Sequence, residues 1–338
     1  MARRRGGTGW VRAFERSLVA ITRGSLRAGA GASRRINGVA PKPSKPPAGA
    51  GDWLAGFALG AGGMRRYRLY RPPGLAQPCP LLVMLHGCGQ DAATFASSTR
   101  MNAIAAREGF MVLYPEQDRL ANAQGCWNWF DTRSGRAAAE AELIMSAIDQ
   151  VCLLYAVDPR RVAVAGLSAG ASMAALLVTR HPARFRAVMM HSGIPPGTAH
   201  SGLSALGAMG GRRSAGPLDA TPQAMAASWP PLLVIHGGID RVVAASNGQA
   251  AVRLWAEAAG ATPQPERRLQ RGNRYPMVVT DFRRSAHDTV ATLVQIAPLG
   301  HAWSGGAESQ AHGDARGPDA SRMVWAFAAR QFGKLPAS

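Results

Sequence analysis

The sequence predicts a doubly wound α/β domain on a mostly parallel sheet, preceded by a basic N-terminal extension. Three observations carry this. Five short runs are mostly apolar rather than alternating, four of them throughout, which marks strands buried on both faces. Helical stretches separate them, and strand–helix alternation is the pattern of a wound parallel sheet. The 338 residues are 47% hydrophobic, enough apolar side chain for a full core, which excludes wholesale disorder.

The chain carries a formal charge of +19, unevenly spread. Residues 1–50 hold 11 basic residues and one acid, Glu15, for +10, which leaves +9 on the rest. Such asymmetry marks an interaction arm. Within 10–27, Trp10, Phe14, Leu18 and Ile21 fall on one face of a helix, with Arg12, Arg16, Arg23 and Arg27 opposite. A basic amphipathic helix of this kind suits a granule or lipid surface of anionic character; the other reading is a helix packed on the body with its charges solvated. No DNA-reading or RNA-binding motif is present, so nucleic acid is not the expected partner. The Pro-rich stretch 38–51 reads as an extended linker. The expected division is therefore an arm and linker at 1–51 and a catalytic domain at 52–338.

Arg3-Arg4-Arg5 has the character of a signal-peptide start. However, Arg12, Glu15, Arg16 and Arg23 interrupt any apolar core behind it. The expected location is cytoplasmic or granule-associated, with an extracellular one as the alternative. No run approaches the roughly 18 apolar residues of a membrane span. Cys79, Cys88, Cys126 and Cys152 show neither CxxC nor Cys/His spacing, so no metal is expected.

The strands are Leu81–Leu85, Phe110–Tyr114, Val162–Ala165, Leu232–Ile235 and Thr292–Ile296. The helices between them are Met101–Glu108, ended by Gly109, then Ala137–Tyr155, Ala169–Arg180 and Gln249–Ala258. A last helix, Ser321–Phe332, has Asp319 as its cap.

Gly166-Leu167-Ser168-Ala169-Gly170 matches G-x-S-x-G between a strand and a helix. There the tight turn lifts a serine hydroxyl to the top of the sheet, and the glycines admit close backbone. An alcohol is a weak nucleophile at neutral pH, so it needs a base and an orienting acid, in the chain order Ser, Asp/Glu, His. Asp240 lies in the loop after Leu232–Ile235; Asp219 and Asp281 are weaker choices. His301, after Thr292–Ile296, is the base among eight histidines. His86 and His236 read as loop braces, while His191 has no strand-end context. The oxyanion needs two backbone N–H donors, which Ala169 and Cys88 of the His86–Gln90 turn are placed to supply. A thiol nucleophile at Cys88 is the rival reading, but no base is placed for it.

These pieces resemble the poly(3-hydroxybutyrate) (PHB) depolymerase-type esterases of the α/β-hydrolase fold. The resemblance runs from about 52 to 334. It includes His86-Gly87-Cys88-Gly89-Gln90, Tyr114-Pro115, Cys126-Trp127-Asn128-Trp129-Phe130, and Val157-Asp158-Pro159-Arg160-Arg161-Val162. It continues with His236-Gly237-Gly238-Ile239-Asp240 and Gly300-His301-Ala302-Trp303-Ser304-Gly305-Gly306. It implies a cofactor-free serine esterase with Ser168 as nucleophile, Asp240 as acid and His301 as base, acting on the polyester, its oligomers or small esters. Feruloyl and acetylxylan esterases share the architecture and stand as the alternative. The non-enzyme alternative is a granule-coat or nucleic-acid-binding protein with an inactive body. Trp127, Asn128, Trp129 and Trp303 are expected at the substrate surface, with plain core as the competing reading. Cys88 and Cys126 can bridge only if their loops meet, which the sequence leaves open.

Overall fold

The computed structural model describes residues 49–216 and 228–334. The expected amphipathic helix at 10–27, the linker up to residue 48 and Asp219 lie outside them. All described residues fall in the unit Ser44–Ser338.

A hairpin comes first, β1 (Asp52–Gly60) and β2 (Gly63–Arg71). Next are β3 (Cys79–Leu85), α1 (Ala92–Thr99), α2 (Met101–Glu108), β4 (Met111–Pro115) and α3 (Arg136–Leu154). The central units are β5 (Val157–Leu167), α4 (Ala169–Arg180), β6 (Ala187–His191), α5 (Gly202–Met209), β7 (Leu232–Gly237) and α6 (Ser246–Ala259). Then come β8 (Thr262–Pro263), β9 (Arg267–Leu269), β10 (Met277–Ser285) and β11 (Asp288–Ile296). The small pair β12 (Trp303–Ser304) and β13 (Gly313–Asp314) precedes α7 (Ala320–Phe332).

The main sheet runs β1-β2-β4-β3-β5-β6-β7-β11-β10-β8, with β9 also on β10. Its middle, β4 to β11, is parallel. Both flanks are antiparallel: β1 and β2 on one side, β10 with β8 and β9 on the other.

Successive side chains of a strand point to opposite faces, so a strand covered on both sides has no polar face to show. In β3, Leu81, Val83 and Leu85 enter the core shared with α3, α4 and α6. Leu82 and Met84 enter the other core, with α1, α2 and α7. All five are fully buried. Caps set the helix ends as the sequence predicts. Gly109 closes α2 in the left-handed region, and the Asp319 side chain accepts the Arg322 N–H at the start of α7.

Parallel strands share one carboxyl end, and ligand sites of such sheets lie there. The loops after β3, β5, β7 and β11 all leave from that end and carry Cys88, Ser168, Asp240 and His301. β5 lies between β3 and β6, so Ser168 rises with the Cys88 loop on one flank and β6, β7 and β11 on the other.

Candidate active site

Ser168 sits between β5 and α4 at φ 56°, ψ −121°. A non-glycine residue there costs about 1–3 kcal/mol and persists only where its surroundings over-determine it. Here they do. The Ser168 N–H donates to the His191 carbonyl at 2.9 Å, and its own carbonyl accepts the Ser172 N–H at 3.0 Å. The flanking glycines are forced: a Cβ at Gly166 would lie 2.3 Å from the Gly170 carbonyl carbon, and one at Gly170 would lie 2.1 Å from the Leu85 oxygen. That second contact presses the start of α4 against the end of β3, which brings the Cys88 turn beside the elbow.

The structure brings Asp240 and His301 together. His301 Nδ1 donates to Asp240 Oδ2 at 2.8 Å, which leaves Nε2 with a lone pair to accept a proton. Asp240 Oδ1 accepts the N–H groups of Val242 and Val243, both at 2.9 Å. Burial, the largest single influence on Asp240, works to raise its pKa. The His301 hydrogen bond and charge, with the Val243 N–H, outweigh it, so the net direction is down. The carboxyl is therefore ionised at neutral pH. Gly237 keeps the two loops close, since a Cβ there would lie 2.2 Å from the Leu299 oxygen.

Four further buried residues brace loops of this end of the sheet: His191 and His236 beside Ser168 and Asp240, and Glu140 and Arg65 beside Gln117 and Asn128. The sequence reading gave no role to His191, Glu140 and Arg65 and took His236 only as a loop brace. His191, the last residue of β6, accepts the Ser304 N–H through Nε2 at 3.1 Å while its carbonyl holds the Ser168 N–H. One residue thus ties the Ser168 elbow to the His301 loop. Burial drives its pKa down to about 3, so it is a neutral acceptor. His236 lies under Asp240 at 3.6 Å and donates through Nε2 to the Val243 carbonyl at 3.0 Å. Burial also lowers its pKa. Glu140 accepts from the Gln117 amide and from both the side chain and backbone N–H of Asn128, at 2.6–2.9 Å. Arg65 lies 4.0 Å from Glu140 and hydrogen-bonds Gln117. The visible signal for this pair was a lone Glu on the apolar side of α3, which invites a buried partner.

The other expected residues divide. Gln90 Oε1 takes the Gly87 N–H at 2.9 Å, and no backbone acceptor among the described residues takes the next amide, that of Cys88. Ala169, at the first position of α4, has an N–H with no place in the helical ladder. Cys88 is joined to Cys126 by a disulfide, so the two loops do meet and Cys88 carries no free thiol. Cys79 and Cys152 are free, and burial pushes both thiols up.

The aromatic expectation is corrected. Trp127, Asn128, Trp129 and Trp303 are all buried. The Trp127 indole N–H donates to the His86 carbonyl at 3.0 Å, and the Trp303 indole N–H donates to Ser321 Oγ at 3.0 Å. Asn128 is locked on Glu140. Buried indole N–H groups require partners, and these partners turn the rings inward as supports for the loops. Among the described residues no cluster of three or more His, Cys, Asp or Glu side chains is arranged to hold a metal ion, and no helix is long and apolar enough to cross a membrane.

Residues 65–262 match the family described as Esterase PHB depolymerase. Poly(3-hydroxyalkanoate) depolymerase C of Paucimonas lemoignei is 30% identical over 229 residues, 63% of this chain. The chain spans about half, 53%, of that relative's length. Feruloyl esterase B of Neurospora crassa is 26% identical over 58% of this chain and 70% of its own length. Acetylxylan esterase A of Emericella nidulans is 26% identical over 56% and 66%. The solved acetyl xylan esterase from Aspergillus awamori superposes with a TM-score of 0.54 at 20% identity, covering 70% of this chain and 89% of that one. A puromycin-hydrolyzing peptidase of Mycobacterium tuberculosis gives 0.54 at 16%, covering 85% and 40%. At these identities the two structures speak for the fold alone.

Proposed function

The chain belongs to the Esterase PHB depolymerase family, and from that premise we propose that it hydrolyses carboxylic esters through an acyl-enzyme on Ser168. The observation that carries this reading is the 2.8 Å hydrogen bond from His301 to Asp240, at the same end of the sheet as the strained Ser168.

His301 Nε2 takes the Ser168 Oγ proton as Oγ attacks the ester carbonyl. The N–H groups of Ala169 and Cys88 stabilise the oxyanion. The tetrahedral intermediate collapses, the carbon–oxygen bond to the alcohol breaks, and His301 returns its proton to the leaving alcohol. A water then gives a proton to His301 and attacks the acyl carbon. Ser168 departs with that proton and the acid is released. Asp240 stays ionised and stabilises the imidazolium in both halves.

For substrate we propose poly(3-hydroxybutyrate) or its oligomers, supported by the Paucimonas relative. The feruloyl and acetylxylan esterases among the relatives support a carbohydrate ester as the second reading. Turnover of hydroxybutyrate oligomers and of acylated xylan, measured side by side, separates them. The disulfide supports an oxidising location, the extracellular expectation rather than the cytoplasmic one, because reducing compartments keep thiols free. The four arginines opposite Trp10, Phe14, Leu18 and Ile21 support a surface-binding role for residues 10–27.

Ser168→Ala is expected to abolish p-nitrophenyl butyrate hydrolysis, with circular dichroism unchanged. Turnover retained at the wild-type rate would overturn the reading.

A further inference from the structure

We propose that the groove between β9–β10 and α7 is a second binding site, which takes an aliphatic chain ending in a carboxylate. The groove encloses about 820 Å³. One wall carries Arg267, Arg271, Arg274 and Arg283; the other carries Arg322 and Arg330, with Lys334 just past the helix end. Two acids, Asp281 and Asp319, face these seven cations, for a local excess of +5. More than half of the +9 carried beyond residue 50 is thus gathered in one place.

The two acids are already engaged. Asp281 accepts from Arg267 at 2.8 Å, Arg283 at 3.1 Å and the Thr292 hydroxyl at 2.8 Å, and Asp319 faces Arg322 at 3.5 Å. No ion pair among the described residues engages Arg271, Arg330 or Lys334. Arg322, Ala326 and Arg330 recur every fourth residue, so they stand in one row along α7. Arg330 also lies over the Phe327 ring, 5.8 Å from its centroid. Cations without a carboxylate partner on both walls suit an anion lying between them, and a guanidinium matches the two oxygens of a carboxylate.

Charge alone does not describe the groove. Its floor is Met277, Val279, Val294 and Phe327, and Leu269 stands at the rim, 40% exposed. A neutral ester would leave the cations without a partner. A single-stranded nucleic acid would find no exposed ring to stack on, since Phe327, the one aromatic lining residue, is buried. An aliphatic acid uses both features. None of Cys88, Ser168, Ala169, Asp240 and His301 lines the groove.

The choice of ligand rests on the esterase reading. Each cut of a polyester turns a neutral bond into a carboxylate end and an alcohol end. A groove that prefers the carboxylate end distinguishes a cut chain from an intact one.

The test uses the Ser168→Ala protein, so that no probe is consumed. Calorimetric titration compares linear 3-hydroxybutyrate trimer acid, its methyl ester, inorganic phosphate and a single-stranded oligonucleotide. The acid should bind at least tenfold tighter than the methyl ester. Arg271→Glu/Arg330→Glu/Lys334→Glu should remove that preference, and the milder Arg271→Gln/Lys334→Gln should reduce it. With Ser168 intact, either variant should hydrolyse p-nitrophenyl butyrate within twofold of wild type. Equal affinity for acid and ester, binding that survives charge reversal, or tighter binding of phosphate or oligonucleotide overturns the proposal. Selective acid binding in a protein that turns over no ester supports the groove while removing the esterase reading, so the two failures are distinct.

Discussion

Asp240 holds a negative charge where burial opposes one, and three N–H donors decide the outcome. An uncompensated buried carboxylate costs several kcal/mol, enough to protonate it. Val242, Val243 and His301 reverse that balance, and the charge then fixes which ring nitrogen of His301 carries the proton. Asp240→Asn is expected to leave the fold intact and lower kcat on p-nitrophenyl butyrate by about 10³–10⁴-fold, since an amide can donate to Nδ1 and trap the wrong tautomer. A fall of less than tenfold would contradict the assignment. Ser168, Asp240 and His301 were visible as candidates because a nucleophile, an acid and a base are restricted residue types in a fixed chain order. His191 and Glu140 were not. They act by accepting N–H groups from loops distant in sequence, and nothing in a residue type announces that. Trp127 and Trp303 were misread for a related reason. A tryptophan beside a glycine-rich loop looks the same in sequence whether its ring is open or covered, and here the indole N–H partners decide.

The elbow is where the elements meet most tightly. Gly170→Ala would place a methyl 2.1 Å from the Leu85 oxygen, a backbone atom that cannot swing away. The expected loss is about 2–4 kcal/mol, read as a shift in denaturant midpoint at unchanged slope. A neutral result would show that α4 does not abut β3 as described. The disulfide is the second tie. It joins the Cys88 turn to the Trp127 loop across 38 residues of sequence. Cys88→Ser/Cys126→Ser should lose about 2–4 kcal/mol of stability, measured in the same denaturation experiment. Among the elements, the central strands were legible because Leu81–Leu85 or Leu232–Ile235 cannot be anything but doubly buried. The hairpin β1–β2 was missed because its strands carry polar residues such as Arg66 and Arg68, which alternate with buried Tyr67 and Leu69. β6 was missed because Ala187–His191 holds one β-branched residue, Val188, beside two methionines, a weak strand signature, and with β6 went the strand-end position of His191. α1 is short and rich in Ala, Ser and Thr, so it shows little periodicity.

The whole molecule is built to be acid-sensitive. Burial lowers His86 from 6.5 to about 4 and His191 from 6.5 to about 3. Below pH 6.5 the unfolded chain gains protons that the folded one refuses. The stability of the neutral forms is therefore complete above about pH 6.5 and is lost as the pH falls toward 4. Asp240, lowered in the folded state, adds in the same direction at more acid pH. Between pH 7.5 and 4.5 the melting temperature should drop by on the order of 10 °C. A flat profile would contradict the neutral buried histidines. Charge is organised at the same scale. Of the +19, +10 lies in residues 1–50 and +5 in the Arg-rich groove, so most of the excess falls in two places. The central claim, a single activated serine paired with His301 and Asp240, is tested most directly by active-site titration with a p-nitrophenyl alkylphosphonate and peptide mapping. The account predicts one equivalent of p-nitrophenol released per chain, the label on Ser168, and no label on Ser168→Ala. A label on another residue, or no label while ester hydrolysis continues, would contradict it.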